Sequence, residues 1–486
     1  MKSPRTAALR AVWGLAMIVI VAIAAGAGAS TRALAATDGS AATANDWNII
    51  AVNTVRAAAP AKTQVEGLIY MSYVQASVYD AVTKIEGRYQ PYHDFTAPVD
   101  TSGASPDAAV AAAAYTALAY YFPAQAGTLV TTYTSYLAGL PGEGRDAGVA
   151  IGVAAAEDII ALRTGDGLGA SVSTPYGQGP LTAGTWIFAP PPSAQSAQTP
   201  WVAFMKPFML ESPSQFRPGP PLQLDSNKYS TQLAELQAYG SATSTVRTDE
   251  QTNVAEFWNA NAINQINQTQ RDLATAHGFD LIKTTRALAM ANLTDSDAGI
   301  ACFDAKYHYT FWRPVTAIQH ADIDGNDRTT ADPTWTPLLT TPNHPEYPAA
   351  HGCLTSSDAE VSANLLDTHR IELDIAGAVG RNVTTLTTSR HYATVGDLDR
   401  EIVNARVWAG LHFRDSGEAG VKIGRDVAHW ALDRYFRPTQ SAARNDKRGG
   451  AFGGRPLAGL ERVTVRRLRL ALFAASAREA VLAARG

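Results

Sequence analysis

The stretch KYHYTFWRP, residues Lys306–Pro314, places a lysine and an arginine seven residues apart, with four aromatic residues between them. On an α-helix a step of seven residues is about two turns, so both cationic side chains would lie on one face. Two cations held side by side repel each other. The spacing therefore indicates either a solvated surface or a binding site for an anion that lies between them.

The composition limits what surrounds this stretch. The chain has 486 residues, of which 46% are hydrophobic, enough for two ordinary domains or one large domain with a substantial core. A formal net charge of −4 gives no general attraction to nucleic acid or acidic membranes. We therefore expect no nucleic-acid partner, and any anion site must be a local concentration of positive charge.

The N-terminal residues have the pattern of an export signal. A basic start with Lys2, Arg5 and Arg10 precedes an apolar run over residues 11–29, and an Ala-x-Ala cleavage site ends at Ala35. This pattern predicts a secretory signal peptide over residues 1–35, with a retained membrane anchor as the alternative. We expect the mature protein to be secreted, extracellular or in the cell envelope, without a transmembrane segment. The nearest other apolar run, residues 108–122, is short and mostly alanine, which suits a packed helix better.

Most of the remaining chain has helical apolar spacing, and alternation typical of strands is scarce. We predict one helical domain over residues 36–440, with a motif-bearing core at 301–435. The basic tail, residues 441–486, could be disordered or form an amphipathic helix. A Pro/Gly/Ser-rich excursion over residues 165–227 is predicted to cover the mouth of a site. The predicted helices span residues 46–59, 64–86, 106–140, 143–164, 248–276 and 280–292.

The two cysteines, Cys302 and Cys353, are the only ones in the chain. Two are too few for a zinc site or a disulfide scaffold. They are expected to be either a pair of buried thiols or a single disulfide.

Two further stretches concentrate residues that carry chemistry. HPEYPAAHG spans residues 344–352, and ARVWAGLHFRDSGEAG spans residues 405–420. With the first stretch they supply three fixed cations and two imidazoles, namely Lys306, Arg313, Arg406, His351 and His412. Arginine forks bind the edges of an oxyanion and lysine acts as a point charge. One imidazole could then attack or ligate a tetrahedral oxyanion while the other transfers protons.

The order and spacing of these stretches resemble the signature shared by vanadium-dependent haloperoxidases and type 2 phosphatidic acid phosphatases (PAP2). That signature reads Lys-x6-Arg-Pro, then Pro-Ser-Gly-His, then Ser-Arg-x5-His-x3-Asp. The matching residues are Lys306, Arg313, Pro314, Pro348, His351, Arg406 and His412. The resemblance implies an all-α helical bundle with long irregular loops.

The resemblance also implies a role for each matched side chain. Lys306, Arg313 and Arg406 would bind the equatorial oxygens of vanadate or phosphate. His412 would be the vanadium ligand of a peroxidase or the phosphorylated nucleophile of a phosphatase. His351 would contact the apical oxygen or protonate the leaving group.

The chain departs from the signature at several positions. Ala349 replaces the serine that donates to the oxyanion, and Ala350 replaces a glycine but keeps a backbone N–H that can bind it. The final aspartate, which would orient His412, has no exact counterpart, since Asp415 comes one residue early and Ser416 stands in its place. Asp415 could still orient the His412 ring, and these losses predict an anion pocket weaker than the strongest in the family.

One position bears on the choice of halide. Aligned on Pro348, His344 falls where the resembled chloroperoxidases carry phenylalanine and bromoperoxidases carry histidine. His344 could tune the bound oxyanion, or it could simply cap a turn.

The sequence leaves three functions open. The first is a secreted haloperoxidase that holds vanadate and oxidises bromide or iodide with hydrogen peroxide. The second is a secreted acid phosphatase, which needs no vanadate and cleaves phosphate esters through a phosphohistidine. The third is a non-catalytic oxyanion-binding protein.

Overall fold

A computed structural model describes residues 39–188, 196–380 and 385–440 of the chain. The predicted signal peptide, residues 1–35, and the basic tail, residues 441–486, lie outside these ranges. One compact unit extends through Arg437, and a second unit begins at Pro438. The site residues named above all lie in the first unit.

The described residues form thirteen α-helices and one two-stranded sheet, so the all-α prediction is confirmed. The helices are α1 Ala41–Arg56, α2 Gln64–Glu86, α3 Pro106–Tyr121, α4 Ala126–Gly139, α5 Arg145–Leu162, α6 Asn227–Tyr239, α7 Asp249–Phe257, α8 Ala262–Ala276, α9 Leu281–Tyr309, α10 Pro314–Gln319, α11 Ala350–Leu366, α12 Val395–Trp408 and α13 Arg414–Arg434. The strands β1 Leu373–Gly377 and β2 Thr388–Tyr392 are antiparallel, with Leu373 opposite Tyr392. Cys302 and Cys353 are both buried free thiols.

Helix α9 is the centre of the bundle. Its N-cap Asp280 accepts a hydrogen bond from the backbone N–H of Lys283, as helix-starting aspartates commonly do. The sequence prediction ended this helix at residue 292, but it continues to Tyr309. It packs against α1, α2, α8, α11 and α13, so it is buried on nearly every side. This central position places Lys306, in its last turn, deep inside the protein.

Two helices predicted as continuous are broken. The predicted helix over residues 106–140 divides at Pro123, because proline has no N–H for the helix ladder and its ring clashes with the preceding turn. The predicted helix over residues 248–276 divides before Asn261, whose side chain accepts from the backbone N–H of Asn264 and starts α8. Both breaks were visible as local signals in the sequence.

The alanine-rich run that resembled a membrane segment lies in α3. Its alanines are buried, and the helix packs against α2 and α5. Small side chains allow such close packing between helices. Among the described residues, none of the helices is both long and apolar enough to cross a membrane.

The Pro/Gly/Ser-rich excursion over residues 165–227 packs beside the end of α9. The backbone N–H of Trp186 donates to the carbonyl of Thr310 (2.7 Å), and that of Gln198 donates to the carbonyl of Asn343 (2.7 Å). Further along, buried Asp297 of α9 accepts from three successive backbone N–H groups, at residues 208–210. These bonds hold the excursion next to the stretches that carry the chemistry.

Helices α11 and α13 approach each other closely because glycine lies at their contact. A Cβ atom at Gly420 would overlap the carbonyl oxygen of Ala349, and one at Gly424 would overlap that of Cys353. The absence of these side chains lets the two backbones meet. The start of α11 is thereby brought against the start of α13.

Candidate active site

The three cations and two imidazoles predicted from the sequence reach one buried region from five different places in the fold. Lys306 lies in the last turn of α9, and Arg313 is the N-cap residue of α10. Arg406 lies in the last turn of α12, His412 in the link between α12 and α13, and His351 in the first turn of α11. All are buried except His351, which is partly exposed.

Lys306 and Arg313 do not share one helix face, as the seven-residue spacing had suggested. Helix α9 ends at Tyr309, where Thr310 takes a left-handed conformation with φ of 47°. The chain then turns before α10 begins. The two cations therefore meet through a bend in the backbone.

Lys306 uses its ammonium group to hold the second stretch. Its Nζ donates to the backbone carbonyls of Pro345 (2.9 Å), Glu346 (2.9 Å) and Pro348 (2.5 Å). An ammonium has three donors, so all of them are used here. In this arrangement Lys306 contributes positive charge to the site and fixes the loop before α11.

Arg313 links the second and third stretches. Its Nε donates to the carbonyl of His344 (2.9 Å), and Nη1 donates to the carbonyl of Leu411 (3.0 Å). Nη2 lies 2.9 Å from Nδ1 of His344. The same Nδ1 lies 3.1 Å from the carbonyl oxygen of Pro345, which can only accept, whereas arginine can only donate. These contacts hold the ring in place without fixing its tautomer. His344 also packs against Phe303, with ring centroids 5.4 Å apart, which places it inside the site rather than at an exposed turn.

The contacts of His412 fix its tautomer. Its Nε2 lies 3.1 Å from Nη1 of Arg313, and its Nδ1 lies 3.0 Å from Oε1 of Glu346. Because arginine can only donate, Nε2 carries the lone pair and Nδ1 carries the proton. A neutral imidazole with an unprotonated Nε2 can ligate or attack an electrophile.

Two buried nitrogen atoms in the cluster have no protein partner. Neither Nε of Arg406 nor Nε2 of His351 makes a hydrogen bond within the described part of the chain. Arg406 has only a long contact, 3.4 Å from Nη1 to the carbonyl of Trp258. Buried polar groups are normally satisfied, so these two nitrogens are available to a polar ligand.

The cluster carries excess positive charge. Burial, reinforced by Arg313, lowers the pKa of Arg406 to about 9, and burial lowers that of Lys306 to about 8. Burial likewise lowers the pKa of Arg313 to about 10. All three remain mainly cationic at neutral pH. Burial raises the pKa of Glu346 to about 7, so this carboxyl group offsets at most one of these charges. The remaining surplus of at least two positive charges suits a dianionic oxyanion.

The three histidines of the site are held neutral. Burial lowers the pKa of His412 and His344 well below the ordinary value, and Arg313 and Lys306 lower it further. Burial, followed by Arg406 and Lys306, does the same for His351. Neutral imidazoles can accept a proton or donate a lone pair at pH 7.

Backbone N–H groups add to the anion site. Ala349 is the N-cap residue of α11, with no side-chain cap hydrogen bond, and Ala350 is the first helical residue. The first N–H groups of a helix lack intrahelical partners and favour anions. Ala350 is therefore placed to offer the N–H that the sequence analysis assigned to it.

A narrow cavity leads to His351. Its volume is about 20 Å³, and His351, Trp258, Leu354, Thr355 and Asp358 are among its lining residues. A space of this size holds about one water molecule. The cavity therefore favours guests of the size of water, peroxide or a halide ion.

The comparisons with known proteins agree with this geometry. Residues 286–441 match the family model for the VCPO second helical-bundle domain. This match covers the part of the chain that carries the site, and it supports a relation of these residues to the vanadium haloperoxidase/PAP2 superfamily. No curated protein matches the chain significantly.

Three solved structures share this fold. A bacterial vanadium-dependent iodoperoxidase is 21% identical, with a TM-score of 0.68 over 84% of this chain and 99% of that one. A bacterial vanadium-dependent chloroperoxidase in its apo form is 20% identical, with a TM-score of 0.60 over 76% and 92%. The holo form of a bacterial chloroperoxidase is 19% identical, with a TM-score of 0.55 over 83% and 94%. At these identities the similarity establishes the shared fold.

The carboxylate that contacts His412 is not the one expected from the sequence. Asp415, expected to orient the ring, forms an ion pair with Lys228 instead, and its backbone N–H donates to Gln232 (3.0 Å). As the second residue of α13, Asp415 points toward α6 and away from the candidate active site. The carboxylate on His412 is Glu346, which the sequence reasoning missed although it lies in the quoted stretch HPEYPAAHG.

Proposed function

We propose that this protein is a vanadate-dependent haloperoxidase that oxidises iodide or bromide with hydrogen peroxide. The observation that carries the proposal is the pair of unsatisfied buried nitrogens, on Arg406 and His351, beside the unprotonated Nε2 of His412. These donors and the surplus positive charge suit a tetrahedral dianion. The similarity to vanadium-dependent iodo- and chloroperoxidases supports vanadate as that dianion.

The reaction consumes peroxide, a halide ion and one proton, and it yields a hypohalous acid and water. Vanadate, when bound, supplies the electrophilic centre at which peroxide becomes able to oxidise the halide by two electrons. The chain's own residues would hold and position the group. Nε2 of His412 would ligate it, while Arg406 and Arg313 would neutralise its charge within a site of low dielectric constant.

His351 would move the proton. Its Nε2 has no partner among the described residues, its ring is neutral, and it lines a small cavity. It can therefore take a proton from an incoming molecule and return it to a departing water. The narrow cavity admits peroxide and halide in preference to bulky substrates.

Iodide and bromide are preferred over chloride in this proposal because of His344. Its imidazole stands beside Arg313 where the resembled chloroperoxidases carry phenylalanine. Export from the cytoplasm is also part of the proposal, and it rests on the sequence of residues 1–35 alone.

The test uses purified protein loaded with vanadate and assayed with peroxide and each halide. We expect oxidation of iodide and bromide that depends on vanadate and is abolished by His412→Ala. Exposed His308, on the first stretch, provides the matched control, since His308→Ala should leave the rate unchanged. Hydrolysis of p-nitrophenyl phosphate without halide oxidation would instead identify a phosphatase, and activity in neither assay would indicate a binding protein.

A further inference from the structure

Glu346 connects all three stretches that form the site. Its backbone N–H donates to the carbonyl of Phe311 (2.9 Å), and its own carbonyl accepts from Lys306 (2.9 Å). Its side chain reaches the third stretch, where it meets His412, Phe413 and Ser416. Glu346 therefore joins the three stretches of the site.

The two carboxylate oxygens have distinct partners. Oε1 accepts from Nδ1 of His412 (3.0 Å) and from the backbone N–H of Phe413 (2.9 Å), and Oε2 accepts from the hydroxyl of Ser416 (2.6 Å). Glu346 is fully buried. A carboxylate with three short hydrogen bonds in a closed space has little freedom to move.

We propose that Glu346 is the positioning residue for His412. It holds the proton on Nδ1 and the ring in the orientation that directs the Nε2 lone pair toward the guest. This inference deepens the proposed function, because His412 is the residue proposed to ligate the oxyanion.

The local arrangement explains why a carboxylate is needed. The ring of His412 is surrounded by cations, and those cations supply donors but no acceptors. The Nδ1 proton therefore needs an acceptor from elsewhere, and Glu346 provides it. Since Oε1 also binds the N–H of Phe413, the N-cap residue of α13, the same oxygen fixes both the ring and the adjoining backbone.

Two substitutions separate position from charge. Glu346→Gln removes the charge, but its amide oxygen can occupy the place of Oε1 and its amide nitrogen can donate to Ser416. Glu346→Asp keeps the charge and withdraws the oxygens by one methylene. A positioning role predicts that the glutamine variant retains function and the aspartate variant loses it, whereas a purely electrostatic role predicts the reverse.

A third variant controls for the loss of a buried carboxylate. Asp297 is also fully buried and also accepts three hydrogen bonds, but from the backbone at residues 208–210, outside the site. Asp297→Asn should lower stability without changing the affinity for vanadate. It therefore calibrates what general destabilisation does to binding.

The experiment measures two properties of the full-length protein without any assay of turnover. Calorimetric titration with vanadate gives the dissociation constant, and ¹⁵N chemical shifts of labelled histidines report the His412 tautomer. Loss of an outer partner of a ligand typically weakens binding by about 10- to 100-fold. We expect Glu346→Asp to show that loss of affinity together with a changed His412 tautomer. We expect Glu346→Gln to bind vanadate with an affinity near that of the wild-type protein.

Other results would overturn the inference. An aspartate variant that keeps both the Nδ1–H tautomer and the vanadate affinity would remove the positioning role, as would a glutamine variant impaired as much as the aspartate variant. If the unchanged protein does not bind vanadate, the proposed function fails on its own. The tautomer measurement still decides the role of Glu346 in that case.

Discussion

Replacing Arg406 with methionine should stabilise the ligand-free protein and weaken its binding of vanadate. Arg406 is 2% exposed, and its Nε has no partner among the described residues. Methionine has a similar length and no charge, so it can fill the same space. Arg406→Met therefore removes an unpaired buried cation without leaving a large cavity.

The size of both effects follows from the structure. Burial, followed by repulsion from Arg313, lowers the pKa of Arg406 from its ordinary value to about 9. At about 1.4 kcal/mol per pKa unit this corresponds to an upper bound of about 5 kcal/mol for keeping the charge buried. Because the substitution also removes the contact with Trp258, we expect a gain of about 1–4 kcal/mol in the free energy of unfolding. Hydrogen bonds to charged groups contribute about 1.5–3 kcal/mol, so vanadate affinity should fall by about 10- to 150-fold.

Urea unfolding with and without vanadate measures both quantities. Saturating vanadate should raise the unfolding free energy of the unchanged protein, by about 2.7 kcal/mol at a hundred times its dissociation constant. The methionine variant should start higher and gain less. Arg390 of strand β2, which pairs with Glu401 of α12, is the matched control, since Arg390→Met should not alter vanadate affinity. A ligand-free Arg406→Met protein that is less stable and binds vanadate as before would refute the reasoning.

Two further substitutions test neighbouring features. Ala349→Ser supplies the missing N-cap of α11, so urea unfolding should show a gain of about 1 kcal/mol. Its hydroxyl should also tighten vanadate binding in a titration, and no change in either measurement would show that the hydroxyl is misdirected. Burial raises the pKa of Asp358 to about 7 against a hydrogen bond from Gln270 that lowers it, and burial followed by the charge of Asp358 raises the pKa of Asp295. Between about pH 4 and pH 7 the folded protein therefore holds a proton that the unfolded chain has released. The free energy of unfolding falls as the pH rises through this range, by up to about 1.4 kcal/mol per pH unit for one group. Asp358→Asn should flatten that decline in unfolding measured across the range, and an unchanged slope would contradict the assigned pKa.

Local signals predicted much of the helical structure. Helix α2 has its predicted bounds because Thr63 caps it at one end and Gly87, with φ of 65°, ends it at the other. The sequence prediction ended helix α9 at residue 292, before Asp295 and Asp297. In the structure both are fully buried within the bundle, a tertiary effect that no local pattern carries.

The site was likewise predicted only in part. Spacing identified the cations and imidazoles, but it could not show that Lys306 would give all its donors to backbone carbonyls. It also placed the orienting carboxylate by proximity in the chain, beside His412. The observed partner, Glu346, lies in another stretch, and only the folded loop before α11 brings it to the ring.

The close contact of α11 and α13 has a consequence for sorting related sequences. Gly420 and Gly424 take no part in any reaction, yet each leaves room for a carbonyl of the opposite backbone. A single methyl group at either position would push the two helices apart and separate His351 from His412. A homologue can keep every cation and imidazole but have alanine at one of these positions. It should be counted as inactive until assayed, because the distance between its two histidines depends on the absence of a Cβ atom where the helices meet.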